Sequence, residues 1–326
     1  MDLSTTYMGL AVKNPIIVAS SGLVNSVRGV QEAEDAGAGA VVLKSLFEEQ
    51  IRAEMKTIEG DGSYEFHPEA LDYIRRMEKD FGPTQYLEMV KRAKSQSTIP
   101  IIASLNCISS GWWPDYALRI EDAGADGIEL NIALMPTKPD MSSEQVEEQY
   151  MGIVDAVRSR TSLPIAVKLG PFFTSMAQVA ERLDERNIQA LVLFNRFYQI
   201  DIDIERLELV SASRLSSPRE IHIPLRWITL LSGKLNCDIV AATGIHDGEA
   251  AIKQLLAGAR AVQICSALYR GGFRRISEIL NEITEWMNAK GFQDVSQFRG
   301  RLSQEISETP EMYIRLQYIK ALVGVE

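Results

Sequence analysis

Lys44 and Lys168 each close a short apolar run, in "GAVVLKS" (39–45) and "LPIAVKLG" (163–170), and Asn106, Asn131 and Asn195 close three more. Ammonium and carboxamide groups at the end of a buried strand need partners, because an unpaired polar group held out of water costs free energy. A large, planar, polar cofactor would serve all five at once. Each residue alone has a plainer account: a strand-end lysine is more often solvated or salt-bridged, and an asparagine there is more often a turn-former. Their convergence points to a ligand. The other run ends carry small residues: Ala19, Ser20, Ser21 and Gly22 in the first, Ser45 beside Lys44, Thr243 and Gly244, and Ser266. "TGIHDGEAA" (243–251) and "CSALYRGG" (265–272) place such residues just before a helix, where backbone amides and the helix dipole favour a phosphate. Tight turns alone would also ask for small residues at these points.

The elements that must position these groups follow a regular plan. Eight β-branched runs, at 14–22, 39–45, 99–106, 126–131, 163–170, 189–195, 237–244 and 260–266, alternate with amphipathic stretches. Continuous apolar strands separated by helices imply a parallel sheet covered by helices. A weak repeat supports the plan: "AGAGAVVL" (36–43), "AGADGIEL" (123–130) and "AGARAVQI" (257–264) each end a helix on Ala-Gly-Ala and enter a strand. Glycine there fits a left-handed helix cap. Eight such units predict a (β/α)₈ TIM barrel, an α/β fold whose site lies at the C-terminal ends of the strands. An open doubly wound sheet is the runner-up, but no Gly-rich dinucleotide fingerprint follows the first run. "LSTTYMGLAVKN" (3–14) is expected to be an N-terminal hairpin plugging the barrel floor. Insertions are expected near 46–98 and 196–236, with turn-rich "EGDGSYEFHPEA" (59–70) as a loop over one end. An extra C-terminal helix is expected over 309–322 within an extension at 303–326. With no linker, one domain over 1–326 is the reading.

Composition narrows the partners. The 326-residue chain has a formal net charge of -10 and a pI near 5.1. Nucleic acid and anionic membranes favour a basic face, so neither is an expected partner. Cys107, Cys237 and Cys265 show no paired spacing and lie in or beside apolar runs, as free thiols of a reducing compartment would. His67, His222 and His246 have no ligand-like spacing, so no metal site is expected. No basic leader with a long apolar stretch opens the chain, and no apolar run approaches the ~20 residues of a membrane span. A cytoplasmic protein is expected.

The motifs "NPIIVASSG", "VVLKS", "IIASLNC", "AGADGIELN", "PIAVKLGPFF", "LFN" and "TGIHDGEAAIKQLLAGARAVQICSAL" resemble those of the FMN-dependent dihydroorotate dehydrogenases, soluble class. The likeness continues into "GGFRRISEILNEITEWMNAKGFQDVSQFRGRL" and covers the chain to about residue 302. "IIASLNC…AGADGIELN" is similar also to the FMN barrel of dihydropyrimidine dehydrogenases. The resemblance implies an oxidoreductase of pyrimidine biosynthesis that passes hydride from a CH–CH group to flavin N5. It implies FMN held by Ala19, Ser20, Lys44, Ser45, Asn131, Lys168 and Asn195, with Gly244, Cys265 and Ser266 at the phosphate. Lys168 would stand near the N1/C2 edge of the flavin and Lys44 between cofactor and substrate. A small-molecule substrate, a soluble electron acceptor and a homodimer are likewise implied.

The chain departs from that pattern on the substrate side. "NIALMP" puts Leu134 where the family carries its Cys or Ser base, and loss of a positioned base costs roughly 10²–10⁴-fold. The substrate-clamping Asn-rich loop after the second strand has no counterpart, and Arg196 follows Asn195 where Ser or Thr is usual. Arg196 suggests an anionic substrate group, or a plain surface arginine. Replacement bases are sought at Thr137, Ser142, Ser143, Cys107 and Ser109. Three alternatives therefore stay open: a flavoprotein with a different substrate, a non-catalytic flavin-binding protein, and a flavin-free barrel for another phosphate.

Overall fold

The computed structural model describes residues 1–52, 82–111, 113–197 and 199–323. The chain opens with an antiparallel hairpin of β1 (Thr5–Tyr7) and β2 (Leu10–Val12). The apolar runs then form β3 (Ile16–Val18), β4 (Ala40–Val42), β6 (Ile101–Cys107), β7 (Gly127–Ile132) and β8 (Ile165–Leu169). β9 (Ala190–Leu193), β12 (Asp238–Ala242) and β13 (Ala261–Ile264) complete the set. Each strand pairs in parallel with the next of these and β13 pairs back to β3, so the sheet closes. A short β5 (Leu46–Phe47) lengthens the edge of β6. The fold is the (β/α)₈ barrel that the eight runs imply.

Outer helices follow the strands: α1 (Val27–Asp35), α2 (Pro83–Gln96), α3 (Trp113–Asp122), α4 (Ser143–Arg158), α5 (Met176–Asp184), α6 (His222–Leu231) and α7 (Gly248–Ala257), then short α8 (Ser266–Gly271) and long α9 (Arg274–Lys290). Their local signals are legible. Val27, Val30 and Ala33 put one apolar face of α1 on the sheet. Ser142 and Gln145 form a capping box at the start of α4. Gly37, Gly124 and Gly258, the central residues of the three Ala-Gly-Ala repeats, all have positive φ, which satisfies the helix ends and turns the chain into the next strand.

Two apolar layers result. Between strands and helices lies the larger one, including Val30, Val90, Ile120, Val154 and Leu255. The second fills the barrel itself, where Tyr7, Met8 and Val12 of the hairpin meet Ile17, Val42, Ile102, Val192 and Val240. The Met8 amide donates to Asp238 at the start of β12, which fixes the hairpin as the barrel floor. That leaves the C-terminal ends of the strands as the open mouth.

The insertion at 196–236 carries an antiparallel hairpin, β10 (Ile200–Asp203) with β11 (Glu208–Ser211), before α6. Of the insertion at 46–98, β5 and α2 are described; "EGDGSYEFHPEA" lies outside the described residues. The C-terminal helix begins later than expected: Pro310–Tyr313 form a 3₁₀ turn, Ile314 leaves helical angles (φ -109, ψ -98), and α10 runs Arg315–Val323.

Candidate functional site at the barrel mouth

Strand register places the amide and ammonium groups in one row. Asn106 pairs with Asn131 across β6–β7, and Asn131 with Lys168 across β7–β8. In parallel strands such neighbours share a face of the sheet. Asn195, just after β9, completes the group: its Nδ2 donates to Asn131 Oδ1 at 2.8 Å. Lys168 is buried, and its Nζ donates to Gln263 Oε1 at 2.8 Å. Its other two N–H donors find no acceptor within hydrogen-bond reach among the described residues.

A second layer lies directly below. Glu129, fully buried, is 3.9 Å from Lys168 Nζ through Oε1, an oxygen with no hydrogen-bond partner. Gln263 Nε2 donates to Glu129 Oε2 and, at 3.3 Å, to the Tyr7 hydroxyl. Burial, reinforced by the Glu129 charge, holds the Tyr7 phenol well above its ordinary pKa, so it stays protonated. Sequence reasoning assigned no role to Glu129 or Gln263. The signal was there: Glu129 stands two residues before Asn131 and Gln263 two before Cys265, so each shares a strand face with its site neighbour.

Around the first two strands, Ser20 Oγ meets Ser45 Oγ at 2.9 Å, and Ser45 Oγ meets Ser104 Oγ at 2.8 Å. Ser21 caps the 3₁₀ turn Gly22–Val24, while the Gly22 amide donates to Tyr269 OH. Ser21 and Gly22 thus have partners of their own beside the group. Lys44 ends the second barrel run as expected, its own amide donating to Val24 O at 3.4 Å.

The opposite end of the mouth is built by the last two units. Ala19, Ser20, Lys168, Asn195, Thr243, Gly244, Cys265 and Ser266 line one cleft of about 200 Å³. Arg214 and Ser216, from the insertion, line it too and were missed by sequence reasoning, since they are remote from any strand end. The Ser216 amide donates to Ser266 Oγ at 2.9 Å, and Ser216 Oγ meets His246 Nε2 at 3.1 Å. Burial, then the nearby Arg270 charge, holds the His246 imidazole below its ordinary value. Burial pushes the Cys265 thiol up, against the pull of Lys168 and Ser21. Thr243 and Gly244 both have positive φ; for β-branched Thr243 that is a strained outlier, tied down by its hydroxyl donating to Phe194 O at 2.9 Å. A Cβ on Gly244 would come within 2.3 Å of Ile221 N, so glycine alone fits.

The replacement-base candidates separate. Cys107 is buried, faces Leu105 O and has its thiol pushed up by burial and by Glu48. Ser109 Oγ donates to Glu48 Oε1, and Ser142 is spent on the α4 cap. Thr137 and Ser143 are exposed, and Thr137 shares a small cavity with Leu134. Arg196 does not await an anion: it donates to Glu220 Oε2 and Ser213 O, each at 2.7 Å, and to Gln199 Oε1 at 2.8 Å. Beside the cleft, and sharing Phe194, Asn195, Arg196 and Thr243 with it, lies a chamber of about 590 Å³ with a largely apolar lining. Among the described residues no group of three His, Cys, Asp or Glu side chains could hold a metal.

The family model described as dihydroorotate dehydrogenase matches residues 2–287. The chain is 26% identical over 309 residues to the dihydroorotate dehydrogenase B (NAD(+)) catalytic subunit of Thermoplasma acidophilum, covering 92% of this chain and 98% of that one. It is 28% identical over 304 residues to the subunit of the same name from Pyrococcus abyssi, covering 91% and 98%. The chain therefore belongs to the dihydroorotate dehydrogenase family of oxidoreductases.

Proposed function

We propose that this chain is a single-domain, FMN-dependent oxidoreductase acting on a CH–CH group of a small molecule. The observation that carries the reading is the Lys168 ammonium, buried at the cleft floor with two donors to spare, next to the Asn195–Asn131 amide pair. The donor set fits a flavin: one fixed cation and amides at one end, and small residues with hydroxyls and Arg214 at the other. FMN, when bound, would supply a two-electron acceptor for the hydride leaving the substrate.

The chain's own residues divide the remaining work. Lys168 would place positive charge where a reduced cofactor gathers negative charge, and Glu129 through Gln263 fixes the position of that ammonium. Ser216, Ser266 and the Thr243–Gly244 backbone would hold the phosphate, and Ala19, Ser20, Ser45 and Lys44 would border the ring. Asn131 and Asn195 would orient it. Leu134 moves no proton, so Thr137 or Ser143 in the same loop would accept it, or water reaching the loop. The partners in this reading are a soluble electron acceptor and a second copy of the chain, in the cytoplasm.

Dihydroorotate, the substrate in the relatives' names, is the first to try. An anaerobic visible spectrum of the purified protein tests the reading. A flavin band bleached by dithionite supports the cofactor assignment; its absence after loading with FMN overturns it. Bleaching by dihydroorotate would show the named reaction, whereas an unchanged band would direct the search to another CH–CH substrate.

A further inference from the structure

The 590 Å³ chamber suits neither an anion nor a small polar ring. Among the described residues its charged lining consists of Arg196 and Glu220, which pair with each other at 2.7 Å. With Arg196 further engaged by Ser213 O and Gln199, the described lining is electrically neutral, and a carboxylate placed there would find no free cation among the described lining residues. Rings dominate the walls: Phe172 and Phe197 are tilted at 5.5 Å, and Tyr150 meets Phe173 edge-on at 5.1 Å. Phe172 is 77% exposed and Ile223 54%, so apolar surface lies open at the mouth, as at ligand sites. Leu134, in the loop that departs from the family pattern, adds to the apolar wall. A cavity of about 150 Å³ suffices for benzene, so this one holds a body well beyond a single six-membered ring.

Where the chamber meets the cleft, Asn195 and Thr243 bring polar groups to its edge. Asn195 spends one N–H on Asn131, and its Oδ1 accepts no hydrogen bond among the described residues. Resting on the flavin reading above, we propose that the chamber takes an uncharged, ring-bearing substrate, its apolar body among Phe172, Phe173 and Phe197 and its one polar edge at Asn195. Dihydroorotate, an anion of one ring, is then disfavoured by charge and by size.

Calorimetric titration of the FMN-loaded and apo protein with 2-naphthol and with orotate tests this, with flavin content read separately from the visible spectrum. We expect 2-naphthol to bind the loaded protein and orotate to bind at least tenfold more weakly. Phe172→Ala, at an exposed position that folding does not require, should weaken 2-naphthol roughly tenfold by removing a ring contact, and Asn195→Leu should weaken it further. Orotate binding more tightly than 2-naphthol would overturn the inference. So would 2-naphthol binding only the apo protein, because the flavin itself would then fill the chamber. A protein that takes up no FMN yet binds 2-naphthol with the same Phe172 dependence would sink the cofactor reading and leave the apolar chamber standing.

Discussion

Lys168 and Glu129 set the energetics of the site from inside the barrel. A buried carboxylate with one unbonded oxygen is tolerable only because an ammonium lies 3.9 Å away and Gln263 bridges the two. Removing one charge strands the other. Lys168→Met should therefore lower stability by about 3 kcal/mol in urea unfolding, and Lys168→Met with Glu129→Gln should recover most of the loss. If the single variant is as stable as the parent, the pair is not coupled. Cys265 shows the same dependence on surroundings: its thiol is raised by burial while Lys168 and Ser21 draw it back.

At the level of elements, one carboxylate cross-links the insertion at 196–236 internally, joining its start at Arg196 to the turn that leads into α6. Glu220 accepts from the Ser217 amide at 2.6 Å and from Arg196 at 2.7 Å. Burial by itself would raise its carboxyl, but the Ser217 amide and Arg196 hold it below the ordinary value. A depressed native pKa means that this contribution is complete above about pH 4.3 and is lost as pH falls through the lower native value. Hydrogen exchange across β10 and β11, taken relative to the intrinsic rate at each pH, should accordingly rise on acidification below about pH 4. Arg196→Ala should raise it already at neutral pH. Exchange that is flat with pH and unaffected by Arg196→Ala would mean the hairpin is held elsewhere. Arg196 is thus a structural anchor, although in the sequence it reads equally well as an anion receptor.

For the molecule as a whole, the N-terminal hairpin acts as part of the core. Tyr7 is fully buried among strand residues contributed by every quarter of the barrel, and its hydroxyl accepts from Gln263. Tyr7→Ala should cost about 3–5 kcal/mol in urea unfolding and, through Gln263, loosen the Lys168 position; on the flavin reading it should also weaken FMN retention. Tyr7→Phe keeps the ring and should recover most of the stability. No described helix is long and apolar enough to cross a membrane.

The barrel was legible in the residues because its strands are covered on both faces and read as continuous β-branched runs, and because three Ala-Gly-Ala turns recur where helices must end. The polar row at the mouth followed from the same runs, since strand ends become neighbours once eight parallel strands close. Leu134, an apolar residue in the loop after β7, was equally visible. Closure, register and loop packing decided the rest: that Lys168 leans on Gln263 and Glu129, and that Arg196 is neutralised by Glu220. Each depends on groups 24 to 134 positions apart coming within hydrogen-bond or ion-pair range, and no local pattern encodes a distance of that kind.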